Sequence, residues 1–217
     1  DYKIMALNKL KFNSINVTPA ANEAIRFNSG ANGLETASAG GNLIKIAATT
    51  ASSSSSISFT SGIDSTYKEY VFFFSDIHPA TDGANFQFNL STDGGSNYNV
   101  TKTSSFFRSY SYEGGSTGLG YDGGPDLAQS TGYQTIYEAS GNDSDQSGAG
   151  FLHLFEPSNT TFVKHYIANT QFYGNGDFSM NNFLGGYGNT TSAIDAISFK
   201  FNSGNIDAGT ITMYGVN

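Results

Sequence analysis

Short runs of alternating apolar and polar residues constrain this chain more than any other feature of its sequence. In NFQFNLS (85–91), Phe86, Phe88 and Leu90 fall on one side and the residues between them on the other. The run AISFKFN (196–202) repeats the pattern. A period of two residues is typical of a half-buried antiparallel strand, and no stretch of the sequence carries the period of a helix. These runs therefore predict β-structure.

Ten such runs follow one another from residue 56 to the end, with turn residues between them. Gly, Phe and Tyr are abundant (26, 18 and 13 residues) and only 13% of residues are charged, which favours strands over solvent-facing helices. We predict an all-β, antiparallel two-sheet sandwich of jelly-roll or lectin-like type. The predicted strands are 56–60, 69–77, 85–91, 104–110, 133–139, 150–156, 161–169, 178–184, 196–202 and 210–216.

The first quarter of the chain has a different character. Short β-like pieces at 9–17, 24–28 and 42–46 alternate with Gly, Ala, Ser and Asn stretches, and such a segment cannot bury a core of its own. We predict an extended N-terminal attachment arm over 1–56 and a β-sandwich body over 57–217. The apolar residues predicted to mediate assembly of the arm are Leu10, Phe12, Ile15, Val17, Ile25, Phe27, Ile44 and Ile46.

The strand predicted at 69–77 is apolar on both faces, so both faces must be covered. The two sets of side chains are Tyr70, Phe72 and Phe74, and Val71, Phe73 and Ile77. One covering is the opposite sheet, and the other is the arm or a neighbouring subunit. The pattern predicts a homo-oligomer, although a central strand under a loop would give the same pattern.

Charge and composition exclude several classes of protein. The net charge is −8 and the sequence has no basic patch, which argues against nucleic acid as a partner. Residues 1–50 are weakly basic, which suits docking of the arm on an acidic surface. The absence of cysteine excludes disulfides and thiolate metal sites. The longest apolar run, YVFFF, is too short to cross a bilayer, and we predict no membrane partner and no cofactor.

Acidic turns are the first candidate sites. In STDGGSNY (91–98), Asp93 matches a hairpin turn and part of the Asp-box pattern, and we expect it to bond to the backbone of its own turn. The oxygen-rich stretches 121–126 and 141–148 have some spacing of calcium ligands. Neither completes a calcium loop, so surface turns are the preferred interpretation and no metal is predicted.

The segment 110–133 is predicted to be a long loop, which is unusual inside a compact domain. It combines tyrosines with Gly and Ser, as binding loops do, and tyrosine rings can stack on sugar rings. A mobile loop or a subunit contact are the alternatives. The candidate ligand-binding residues are Tyr110, Tyr112, Tyr121, Asp122, Asp126 and Tyr133.

Catalytic motifs are sparse. The sequence holds three histidines and no Gly-x-Ser-x-Gly elbow. A glycosidase would need two facing carboxylates, for which Glu138 and Glu156 are the candidates within predicted strands. We predict that the protein is not an enzyme, and a polysaccharide-cleaving enzyme is the least favoured hypothesis.

Three segments resemble proteins of tailed-bacteriophage virions. Residues 61–99 are similar to a recurring segment in which TYxxY leads to PATDG and STDGGxxY. Residues 193–217 look like the usual ending of these proteins, SGNIxxGTxxxYG, and AIRFNSGANGLE (24–35) is similar to a segment found before phage fibre domains. The middle, 100–150, lies outside the resemblance.

This resemblance implies a non-enzymatic virion surface protein, commonly homotrimeric, with an attachment arm that binds other virion proteins. We expect a capsid decoration protein (a cement protein or head fibre) that contacts the major capsid protein. The alternative is a short tail fibre or receptor-binding adhesin that recognises host surface polysaccharide. In either case the protein would be made in the host bacterial cytoplasm and located in the virion.

Overall fold

The structure, a computed structural model, describes residues 23–30, 32–38 and 42–217. The chain divides into two compact units, Asp1–Asn42 and Leu43–Asn217. Regular structure in the described residues is entirely β, and every strand pairing is antiparallel. The strands are β1 (Glu23–Phe27), β2 (Leu34–Ser38), β3 (Leu43–Thr50), β4 (Ile57–Phe59), β5 (Glu69–Pro79), β6 (Ala84–Ser91), β7 (Lys102–Tyr112), β8 (Thr117–Tyr121), β9 (Gln134–Ser140), β10 (Gly148–Phe155), β11 (Lys164–Gly174), β12 (Phe178–Gly188), β13 (Ala196–Phe201) and β14 (Ile206–Val216).

The second unit, called the body, is a sandwich of two unequal sheets. The large sheet has the order β3-β14-β5-β10-β11-β12-β7-β8, and the small sheet has the order β9-β6-β13-β4. A single pair, Gly174 with Ser140, joins β11 to β9 and so connects the two sheets at one corner. The predicted antiparallel sandwich is confirmed.

Aromatic rings fill the space between the two sheets. Phe199 on β13 is fully buried, and its ring centroid lies 5.5 Å from that of Phe72 and 5.3 Å from that of Phe74, both on β5. Phe86 and Phe88 on β6 extend the same layer. Each fully buried ring contributes roughly 1.5–3 kcal/mol of hydrophobic stabilisation, so this layer is the main source of the body's stability.

A β-bulge in β5 changes one sequence prediction. The register between β5 and β14 shifts around Asp76 and Gly209, whose φ angles are 54° and 111°. A Cβ on Gly209 would lie 2.5 Å from the Asp76 carbonyl oxygen, so glycine is required there. Ser75 and Asp76 both face solvent, and Ile77 returns to the core. The prediction that Ile77 shares a face with Val71 and Phe73 was therefore wrong, because the extra residue resets the alternation.

The first unit contains a small hairpin, β1 paired with β2. Phe27 pairs with Leu34 and Ile25 with Thr36, whereas Arg26 pairs with Glu35 on the other face. Arg26 Nε lies 3.0 Å from Glu35 Oε1. The hairpin therefore has one apolar and one charged face. The sequence prediction had placed a strand at 24–28 but treated the β2 region as a spacer.

The compact body begins at Leu43, whereas the arm was predicted to extend to residue 56. The difference arises because β3 pairs along β14 in the large sheet. Ile44 and Ile46, predicted as assembly residues of the arm, lie on this strand of the body, and Ile46 packs against the core. Ile25 and Phe27 lie on β1, exposed. Leu10, Phe12, Ile15 and Val17 lie outside the described residues.

Candidate functional site

The segment predicted as a long loop, 110–133, is largely a hairpin. Strand β7 continues to Tyr112, and β8 returns along it with Phe107 opposite Tyr121 and Tyr110 opposite Gly118. Apart from the turn at 113–116, only residues 122–133 lack an extended strand. The prediction of a loop longer than twenty residues was wrong because the glycines of Thr117–Tyr121 hide the strand signal and the strand lies at a sheet edge.

Arg108 on β7 joins two carboxylates beside this hairpin. Its Nη2 lies 2.8 Å from Asp122 Oδ2, and its Nη1 lies 3.0 Å from Glu138 Oε2 on β9. All three side chains are partly shielded from water. Burial raises the pKa of Glu138, the Asp122 charge raises it further, and the Arg108 guanidinium lowers it. The Arg108 guanidinium therefore lies between two carboxylates and links β7 to β9.

A groove of about 320 Å³ runs along the hairpin beside this cluster. The ring of Tyr110 lies against Gly118, where a Cβ would come within 2.5 Å of it, whereas Gly120 has no atom near such a position. The Tyr121 hydroxyl hydrogen-bonds to the Asp126 carboxylate. The groove residues are Arg108, Tyr110, Gly118, Leu119, Gly120, Tyr121 and Asp122.

The structure thus brings together four of the six predicted ligand residues, namely Tyr110, Tyr121, Asp122 and Asp126. Sequence reasoning missed Arg108 and Glu138 as members of this cluster. The signal that could have identified Arg108 is its rarity, since Arg26 is the only other arginine in the sequence. Nothing in the sequence could have identified Glu138 as its partner, because the two lie 30 residues apart on different sheets.

Tyr112 belongs to a different pocket, of about 550 Å³, between the ends of β7, β11 and β12. Its ring centroid lies 5.0 Å from that of Phe178. Nearby, the Tyr173 hydroxyl lies 3.1 Å from Glu113 Oε1 and 3.2 Å from Asp177 Oδ1. The bond to Glu113, with the Asp177 charge contributing, raises the pKa of Tyr173 to about 12. This pocket therefore combines aromatic rings with hydrogen-bond acceptors.

Tyr133, the sixth predicted residue, makes a separate contact. The Nζ atom of Lys200 lies 4.2 Å from the centroid of its ring, a cation–π arrangement. Nothing places this ring in the groove of the hairpin. Tyr133 therefore forms a surface contact between β13 and the start of β9.

Asp93 holds its own turn together, as its motif predicted. Its carboxylate accepts hydrogen bonds from the Asn97 N–H at 2.9 Å, the Asn97 side-chain amide at 2.7 Å and the Ser91 hydroxyl at 2.7 Å. These bonds, the Asn97 side chain first, lower the pKa of Asp93 to about 2. Gly94 and Gly95, with φ angles of 70° and 85°, complete the turn. Asp93 is therefore a structural residue of the turn after β6, but β6 and β7 lie in different sheets, so the predicted hairpin of two paired strands is not formed.

The two glutamates considered for glycoside cleavage lie in separate ion pairs. Glu138 pairs with Arg108, and Glu156 Oε1 lies 3.0 Å from Lys68 Nζ. Within residues 23–30, 32–38 and 42–217, no group of three or more His, Asp or Glu side chains has the arrangement of a metal site. The same residues include no helix long and apolar enough to span a membrane.

The outer face of the large sheet carries a row of aromatic side chains. Paired residues share a face of a sheet, and the register places Phe73, Phe151, Asn169, Phe183, Phe107 and Tyr121 side by side on six successive strands. Ile167 lies in the adjacent row. We call Phe73, Phe107, Tyr121, Phe151, Ile167 and Phe183 the aromatic face.

Much of the aromatic face is exposed. Phe107 is 44% exposed, Phe183 40% and Tyr121 63%. The rings of Phe107 and Phe183 stack on each other at 4.8 Å with an interplanar angle of 8°, so their edges, not their faces, point outward. A sugar ring stacks on an aromatic face. The exposed edges therefore suit packing against apolar side chains better than stacking against a sugar.

Comparison of the chain with protein-family models, with curated proteins and with solved structures found no match.

Proposed function

We propose that this chain is a non-enzymatic structural protein on the surface of a tailed-bacteriophage virion, most simply a capsid decoration protein anchored through its N-terminal arm. The observation that carries the proposal is the aromatic face. Contiguous exposed apolar surface of this kind marks contact sites between proteins. The resemblance of residues 24–35, 61–99 and 193–217 to virion proteins is the basis for proposing that this assembly is a virion.

The proposal is tested by counting copies of the chain in purified particles. Quantitative peptide mass spectrometry against the major capsid protein should give a ratio close to that of a decoration protein, which means hundreds of copies per head. A small multiple of the tail symmetry would instead assign the chain to a tail fibre. Absence from washed, genome-filled particles would overturn the proposed virion role.

A second candidate function is a receptor-binding adhesin, and the groove along β7 and β8 favours it. Tyr110 and Tyr121 border a recess that is also lined by Arg108 and by the Asp122 carboxylate, which holds the arginine in place. Carboxylates accept hydrogen bonds from hydroxyl groups, and arginine donates to them, so the groove suits a hydroxyl-rich ligand such as a saccharide. Pockets that bind small ligands typically combine a few polar groups of this kind with aromatic walls.

The adhesin function predicts that Tyr121→Ala lowers binding of the purified protein to host cells or host polysaccharide by at least tenfold. Phe162→Ala is the matched control, because Phe162 is a similarly exposed ring (68%) that does not line the groove. Binding should survive the control substitution. Equal binding by both variants would remove the groove from consideration.

A further inference from the structure

The hairpin of the first unit has an apolar face that its own two strands leave uncovered. Phe27 is 71% exposed, Ile25 41% and Leu34 39%, and the pairing of Phe27 with Leu34 places all three on one side. The salt bridge between Arg26 and Glu35 lies on the opposite side. An isolated two-stranded hairpin is marginally stable in water and needs a further apolar surface to pack on. This hairpin therefore requires a partner.

The aromatic face of the body is an uncovered surface of the same kind. Large aromatic side chains bury about 150–250 Å² each, so the exposed parts of its six side chains offer roughly 500 Å² of apolar surface. One side of a standard protein interface buries about 800 Å², of which somewhat more than half is apolar. The aromatic face is therefore large enough to be the apolar centre of a stable interface.

We propose that the β1–β2 hairpin of one chain packs its apolar face on the aromatic face of a second copy, in a head-to-tail contact that closes into a ring. This inference rests on the proposed assembly role and names the partner of that surface. Two different patches meet in such a contact, so each copy gives one hairpin and receives another. A closed ring, such as a trimer, leaves neither patch exposed.

Chain length favours a neighbouring copy over the chain's own body. Four residues separate Ser38, the end of β2, from Leu43, the start of β3, and they span at most about 18 Å. β12 and β7, which hold the exposed stacked rings of Phe183 and Phe107, lie five and six strands from β3. At about 4.8 Å per strand, this is roughly 24–29 Å. The hairpin could reach β12 and β7 of its own body only if the linker and the hairpin were both extended along one line.

Charge favours the same contact. Residues 1–42 contain four basic and three acidic residues, a net charge of +1, whereas residues 43–217 contain six basic and fifteen acidic residues, a net charge of −9. Two bodies repel each other at neutral pH, whereas the hairpin, with Glu23, Arg26 and Glu35, carries a net charge of only −1. Electrostatic repulsion therefore opposes a contact between the hairpin and a body less than it opposes a contact between two bodies.

The test uses the full chain and two exposed substitutions, Phe27→Ser on the hairpin and Phe183→Ser on the aromatic face. Sedimentation velocity should show a closed oligomer for the unchanged protein and a monomer for each variant, with unchanged circular dichroism. Arg26→Ser, on the charged side of the hairpin, is the matched control and should remain oligomeric.

Mixing the two monomeric variants separates the remaining possibilities. The Phe27→Ser chain keeps an intact aromatic face and the Phe183→Ser chain keeps an intact hairpin, so the mixture should form a heterodimer through one restored contact. A monomeric unchanged protein would mean that the hairpin covers its own body, and an oligomeric Phe27→Ser chain would mean that the aromatic faces pack on each other. Either result, or no association on mixing, overturns the proposal. The copy number in particles tests the virion role separately.

Discussion

At the scale of single residues, Lys102 is the least conventional feature of the body. Its side chain is fully buried, and its Nζ donates to the Val100 carbonyl at 2.7 Å and to the Asn89 side chain. These partners are uncharged, and burial lowers the pKa of Lys102 to about 7. A buried lysine without a carboxylate partner disfavours its own charged form.

This residue predicts a pH dependence of stability. Unfolded Lys102 keeps its proton up to about pH 10, whereas the folded residue loses it near pH 7. Between these values the unfolded state binds more protons, so stability rises with pH, by up to about 1.4 kcal/mol per pH unit. Lys102→Met should flatten the rise in the free energy of unfolding between pH 7 and 9, measured in urea. The exposed control Lys68→Met should retain it; an unchanged slope in Lys102→Met would refute the assignment.

Asp93 predicts a rise of stability with pH as well, but at acid pH. Its folded pKa is about 2, so the turn is stabilised above the ordinary aspartate pKa, near 4, and loses that stabilisation as pH falls from about 4 to 2. Asp93→Ala should lower the urea midpoint of unfolding at pH 7. It should also reduce the difference between the urea midpoints measured at pH 5 and at pH 2.5. Asp145→Asn, in another exposed turn, is the control. Equal midpoints for Asp93→Ala and the unchanged protein would show that the turn forms without this carboxylate.

At the scale of elements, the β7–β8 hairpin depends on one glycine. A Cβ at Gly118 would lie 2.5 Å from the Tyr110 ring, whereas Gly120, two residues along the same face, has open space. Gly118→Ala should therefore destabilise the body by about 1–3 kcal/mol through overpacking, and Gly120→Ala should be close to neutral. Thermal unfolding of the two variants makes the comparison. Similar melting temperatures would mean that Tyr110 moves aside without cost.

Elements also show what the sequence can and cannot predict. All ten strands predicted from residue 56 onward are present, because runs such as 85–91 carry both an alternating pattern and large apolar side chains. β2 and β8 were missed because Ala, Ser and Gly occupy many of their positions and give no apolar alternation. The ion pair of Arg108 with Glu138 joins distant segments, and the aromatic face depends on the register of six strands. Neither is encoded in local spacing.

At the scale of the whole molecule, the order of the strands along the chain determines which N-terminal residues can be removed without unfolding the body. The body contains its own core, and β3 lies at one edge of the large sheet, paired only with β14. The described residues of the separate unit 1–42 contribute none of the strands of that sheet. We therefore expect the boundary for folding at Leu43, where the two compact units divide, rather than at residue 57 as predicted from the sequence.

Two truncations test this boundary. Residues 43–217 should fold as a soluble body with the thermal stability of the full chain, because no core residue is lost. Residues 51–217 lack β3, which leaves the β14 edge unpaired and removes Ile46, which lies beside Gly62 and packs on the core. An open apolar edge promotes aggregation, so this shorter chain should melt several degrees lower or precipitate. Equal melting curves for the two truncations would place β3 in the arm, and a 43–217 chain that fails to fold would show that the arm is part of the folding unit.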